Sequence, residues 1–136
     1  MTTKPILTFS DLETLLDYCN DRERITYLPL LNDVCSTFHI NTPTRVAMFF
    51  AQLEILTNKL KDISAYNESI LSENSSIITA SIENMFYPLA FIWSVKDCNS
   101  SSDVGLFGLV TKKLCGNYDQ SVEKLKVYSK NKDYYK

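Results

Sequence analysis

The side chains that carry most enzyme chemistry are sparse in this sequence. It has one histidine, His39, and four cysteines, Cys19, Cys35, Cys98 and Cys115. A catalytic histidine needs a nucleophile or a carboxylate held against it. No spacing around His39 supplies one, and it reads as a connector residue at a helix C-terminus. The cysteines form no C-x-x-C pair, so they offer no zinc site, and no metal or cofactor is expected. Each falls in or beside an apolar pattern, which predicts buried, reduced thiols, disulfides being the alternative. Eight tyrosines occur. Tyr66, Tyr118, Tyr128, Tyr134 and Tyr135 stand in polar surroundings, where exposed rings favour protein interfaces and covered ones only edge a core.

The elements that must position these groups are helical. A chain of 136 residues, 45% hydrophobic, with three glycines and four prolines, suits one all-α domain spanning residues 1–136 better than strands and turns. Its organising stretch is NTPTRVAMFFAQLEILTNKL. Thr42 is placed as an N-cap, Pro43 occupies the first turn, and Val46, Phe49, Phe50, Leu53, Leu56 and Leu60 recur at helical spacing. The pattern predicts a central buried helix over about residues 42–60.

Before it, Ser10-Asp11-Leu12-Glu13 has the form of a capping box for a helix over 10–20. A second helix covers 23–38, with Ile25, Leu28, Leu31, Val34, Cys35 and Phe38 on one face. Pro29 is awkward inside it and favours a start near Leu28. After the central helix, 61–76 is polar and reads as a loop with one turn of helix. Residues 77–87 read as a helix with Ile78, Ile82, Met85 and Phe86 inward, and Pro88 opens an apolar helix holding Trp93. Asp97 to Asp103 reads as a loop. Val104 to Cys115 returns to helix with Leu106, Leu109, Val110 and Leu114 inward, and Gly116-Asn117 stops it. A solvated last helix runs from about Ser121 to Lys132, led by Val122, Leu125 and Tyr128.

The charge balance excludes some functions. A net charge of −2 gives no basic footprint for nucleic acid, although Lys124, Lys126, Lys130, Lys132 and Lys136 gather at the end. No run of about 18 apolar residues is present to span a membrane. The opening MTTKPILTFSDLE lacks the apolar core and cleavage site of a signal peptide, so a cytoplasmic protein is expected.

Three blocks resemble one known family. YLPLLNDVCSTFHINTPTRVAMFFAQL resembles the start of the lysozyme-like catalytic domain of family-19 glycoside hydrolases, the chitinases and phage endolysins of the A-x-F-L-A-Q-x-x-H-E-S-G type. PLAFIWSVKDCNSSSD resembles the family's tryptophan-bearing helix and loop. FGLVTKKLCGNYDQSVEKLKVY resembles its C-terminal segment, where I-T-R-R-I-N-G-G precedes a final helix. The blocks cover more than half the chain, in the family's order. The resemblance implies a lysozyme-like helical bundle.

It does not carry the family's chemistry across. With Ala51-Gln52 set on the family's A-Q, Leu56 falls on the acid glutamate and Ser64 or Ala65 on the base. Cys115 falls on the asparagine of the N-G-G turn. Inverting hydrolysis needs two carboxyl groups roughly 6.5–9.5 Å apart across the sugar. Glu54, two residues early, is turned about 200° around the helix, and Glu68 reaches the second position only through a loop shift. Nothing between Ser69 and Tyr87 resembles the family's glycine-rich G-R-G-x-x-Q-L-T-G-x-x-N-Y cleft wall.

The expectation is a pseudoenzyme that binds another protein, such as a phage or mobile-element inhibitor of a host factor, or a structural or immunity component. The alternative is a peptidoglycan- or chitin-oligomer-binding lysin with residual activity. The binding surface is expected around the cleft remnant, Lys59, Lys61, Tyr66, Asn67 and Glu68.

Overall fold

The computed structural model describes residues 5–73, 84–115 and 121–134. The described chain is all-α, with eight helices and no strand among these residues. They are α1 (Phe9–Leu15), α2 (Asp21–Thr37), α3 (Pro43–Leu56), α4 (Ile63–Glu73), α5 (Tyr87–Val95), α6 (Cys98–Asp103), α7 (Phe107–Cys115) and α8 (Ser121–Tyr134).

Helix α3 is the axis. Every residue from Val46 through Glu54 is buried, so the helix is enclosed on all faces rather than along one stripe. Its start matches the sequence: the Thr42 hydroxyl accepts from the Arg45 backbone N–H at 3.2 Å, and Pro43 fills the first turn. Phe49 anchors an aromatic centre, with edge-to-face contacts to Phe50 (ring centroids 5.8 Å apart) and Trp93 (5.4 Å). The most extensive helix contact is between α3 and α8. There α8 turns Lys124, Tyr128 and Asn131 inward at helical spacing. Asn131 Nδ2 donates to the Ala47 carbonyl at 3.2 Å. Tyr128 stacks on Phe107 of α7 with centroids 4.8 Å apart. The last helix is therefore not the solvated one its lysines suggest, and Leu125, expected inward, is 50% exposed.

The central helix stops earlier than its apolar spacing predicts. Asn58, Lys59 and Leu60 have φ of 49°, 56° and 68°, three consecutive left-handed residues and none of them glycine. Each such residue costs about 1–2 kcal/mol. The turn holds because its hydrogen bonds are made. Lys59 N–H donates to the Glu54 carbonyl at 2.7 Å and Asp62 N–H to the Thr57 carbonyl at 2.8 Å. The buried Thr57 hydroxyl donates to the Leu53 carbonyl at 2.6 Å and accepts from Leu60 N–H at 3.0 Å. Leu60 itself packs against the core.

Other boundaries move for local reasons. The first capping box belongs to Thr8 and Asp11, not Ser10 and Glu13, and α1 ends at Leu15 rather than near residue 20. Asn20 and Glu23 form a second box, and α2 runs on through Pro29 from Asp21 to Thr37 instead of starting near Leu28. Pro29 is tolerated because it lies on the exposed side: Ile25, one turn back, whose carbonyl loses its bond, is 63% exposed instead of inward. The polar segment after α3 forms α4, not a loop, by resting Ile63 and Tyr66 on the core. The supposed loop Asp97–Asp103 holds α6, entered through Asp97 in the left-handed conformation.

Arg45 fixes the end of α6 with a two-pronged grip on Asp103, at 2.8 and 2.7 Å. That bond holds the Asp103 carboxyl below its ordinary pKa. α7 begins at Phe107 rather than Val104, with Phe107 and Val110 buried while Leu106 and Leu109 face out. Ile78, Ile82 and the Gly116-Asn117 stop lie outside the described residues, as do Tyr118 and Tyr135 and the side chains of Cys115, Val122 and Tyr134.

These packing differences are measurable. Phe49→Ala should lower the unfolding free energy by about 3–5 kcal/mol, whereas Ile25→Ala should change it by less than about 0.5 kcal/mol. Urea denaturation of the two variants checks both.

Candidate functional site

The surface the sequence points to is split by the fold. Lys59 and Lys61 are exposed on and just after the left-handed turn, and Glu68 is exposed on α4. Tyr66 is half-buried and packs on the core. Asn67 is also half-buried, and its Nδ2 donates to the Met85 carbonyl at 2.9 Å. Thus Lys59, Lys61 and Glu68 remain available to a partner, while Tyr66 and Asn67 fasten α4 in place.

The positions that the resemblance sets on the family's acid and base are equally plain. Leu56 is half-buried against the core, and Ser64 and Ala65 are exposed in the first turn of α4. Glu54, the nearest carboxylate, is not on a groove. Its side chain is only 8% exposed, and Oε1 lies 3.7 Å from Lys130 Nζ, which also bridges to Asp17 Oδ2 at 3.1 Å. Oε1 has no hydrogen-bond partner among the described residues. Burial raises the Glu54 pKa above 4.5, Asp17 adds to the rise, and Lys130 and Lys59 oppose it. The Tyr18 phenol is pushed up as well, first by burial and then by the Glu54 charge. A raised carboxyl pKa is what a general acid needs, but this carboxyl is buried, with Lys130 Nζ 3.7 Å away.

A second buried polar pair lies on another side of α3. Gln52 Nε2 donates to the Thr111 hydroxyl of α7 at 2.9 Å. Cys19, Cys35 and Cys98 are buried free thiols. Burial pushes Cys19 up to about 11 and Cys35 and Cys98 up to about 12, far from the reactive thiolate range. His39 takes the left-handed position that ends α2, and its carbonyl accepts from Arg45 Nη1 at 2.8 Å.

What sequence reasoning missed is apolar. Val104, Leu106 and Leu109 are 68%, 51% and 37% exposed, and they fall within six consecutive residues at the α6–α7 junction. Gly105, with φ of 76°, turns the chain there and lets this segment leave the core. The signal was present as two competing stripes. Leu106, Leu109 and Val110 have helical spacing, but so do Phe107, Val110, Thr111 and Leu114, and the second set carries the aromatic residue. The structure buries Phe107, Val110 and Thr111 of the second set and half-buries Leu114 against the core. Compared with known protein families, curated proteins and solved structures, the chain matches none. No described helix is long and apolar enough to cross a membrane.

Because folding raises the Glu54 pKa above 4.5, the folded chain holds that proton more tightly than the unfolded chain. The stabilisation it gives is complete below the unfolded value and is lost as pH rises through the folded value. Wild type should therefore gain stability relative to Glu54→Gln as pH falls from 7 to 4.5. Denaturant midpoints of the two proteins across that range check this, and a flat difference would contradict it.

Proposed function

We propose that this chain is a non-catalytic, lysozyme-like helical domain that works as a protein-binding module. The observation that carries the reading is the exposure of three apolar side chains, Val104, Leu106 and Leu109, around the buried Phe107. Apolar side chains scattered singly on a surface need no explanation, whereas several together on a turn are what a partner's interface core covers. The placement of chemistry-bearing groups supports it: Glu54 is buried beside Lys130, and Leu56 stands where the resemblance asks for an acid. The finer reading follows from the resemblance alone. A shortened endolysin-like domain without its acid and base suits a phage or mobile-element protein that acts in the host cytoplasm by occupying a host factor. Val104, Leu106 and Leu109 form the apolar centre of the interface, and Lys59, Lys61 and Glu68 supply a separate polar contact.

Capture from a lysate of the producing organism tests this. Wild type should retain a specific partner. Leu106→Asp should weaken that binding by roughly tenfold or more, the effect of removing one interface anchor, with the helical circular dichroism unchanged. Lys59→Glu should weaken it less. Equal capture by Leu106→Asp contradicts the reading. So does cell-wall lysis, followed as turbidity, that wild type shows and Glu54→Gln or Glu68→Gln loses.

A further inference from the structure

The sequence runs as a helix where the structure does not. Nothing between Leu56 and Ile63 breaks a helix: the segment LTNKLKDI contains neither glycine nor proline. Apolar spacing also passes through it unbroken. Val46, Phe49, Leu53, Leu56, Leu60, Ile63 and Ile70 keep alternating three- and four-residue steps, with Asn67 filling the one remaining position. Against that pattern the chain makes one turn of left-handed helix at Asn58, Lys59 and Leu60. Such residues occur routinely as single caps, and three together without glycine are a strained connection. The strain buys one thing. It folds α4 back so that it meets α5 of the same chain.

We infer that this turn is a hinge for exchange between two copies of the chain. When residues 57–62 straighten, α3 and α4 become one helix from Pro43 to Glu73, roughly 46 Å long at 1.5 Å per residue. The portion from α4 onward then leaves its own α1–α3 and docks on those of a second copy. The contacts that join the two portions, α3 with α8, α3 with α6, α1 with α8 and α2 with α5, are remade between chains. Contacts within α4–α8 are unchanged. The exchange therefore gives up none of these helix–helix contacts and relieves the left-handed strain twice. Short strained hinges favour this kind of exchange.

The test is refolding of the full chain from denaturant at about millimolar concentration, followed by sedimentation equilibrium and small-angle scattering. Wild type is expected to give a dimer whose scattering fits the elongated, exchanged form. Lys59→Gly relieves the bent turn and disfavours the straight helix, an effect counted once in each chain. It should weaken the dimer by roughly a hundredfold or more. Asn58→Ala acts the other way, since Asn tolerates the left-handed region and Ala favours helix. It should strengthen the dimer by roughly tenfold. Both positions are exposed, so both variants should fold.

The inference is overturned if wild type stays monomeric under these conditions. It is also overturned if a dimer forms that ignores both hinge variants and disappears in Leu106→Asp. The latter result would place the dimer on the apolar segment and leave the protein-binding reading standing.

Discussion

Enclosing α3 on every side is the constraint on which the remaining structure depends. A helix buried through Val46–Glu54 must have partners around its whole circumference, for its polar residues as well as its apolar ones. Gln52 and Glu54 point in directions about 200° apart, so no single neighbour satisfies both. α7 supplies Thr111 to one and α8 supplies Lys130 to the other. Leaving either side chain buried without a partner would cost about 1–3 kcal/mol or more. The arrangement explains why the most polar helix of the fold carries its most extensive contact. Asn131 lies inward, donating to the backbone carbonyl of Ala47 on α3.

The same constraint decides what was legible in the sequence. Caps were readable where a local signal had a single solution: Thr42 with Pro43, and Pro88 at the start of α5. They shifted where two solutions sat side by side, as with Thr8–Asp11 against Ser10–Glu13. The end of α3 was not readable, because the residues that stop it are ordinary helix formers. The Thr57 hydroxyl, the backbone bonds to the Glu54 and Thr57 carbonyls and the docking of Leu60 hold them left-handed. Helices α4 and α6 were hidden by polar composition. They exist through tertiary ties, Asn67 to the Met85 carbonyl and Arg45 to Asp103. Asn99 adds a third tie, accepting from the Trp93 indole at 2.8 Å and donating to the Phe38 carbonyl at 2.9 Å.

Of the candidate site, the resemblance set Leu56 on the family's acid position, but no single pattern in the sequence pointed to the exposed side chains at the α6–α7 junction. Leu56 could be placed at the expected acid position by counting along a helix. The enclosure of Glu54 by Asp17 and Lys130 could not, since those partners lie 37 and 76 residues away in sequence. The exposure of Val104, Leu106 and Leu109 could not be read directly, because the two leucines fit one helical stripe while Phe107 and Val110 fit a competing one. Glu54 faces inward, and the apolar side chains of Val104, Leu106 and Leu109 face outward. That inversion is the physical basis for reading the chain as a binder.

Native-state hydrogen exchange tests the central claim, that α3 and α8 form one cooperative core with α8 as an integral wall. Amides of Ala47–Leu53 and of Tyr128–Asn131 should exchange only through global unfolding, with the same opening free energy and the same denaturant dependence. If the α8 amides exchange by a separate, much cheaper opening while those of α3 stay protected, α8 is a peripheral element and the account of the core is wrong.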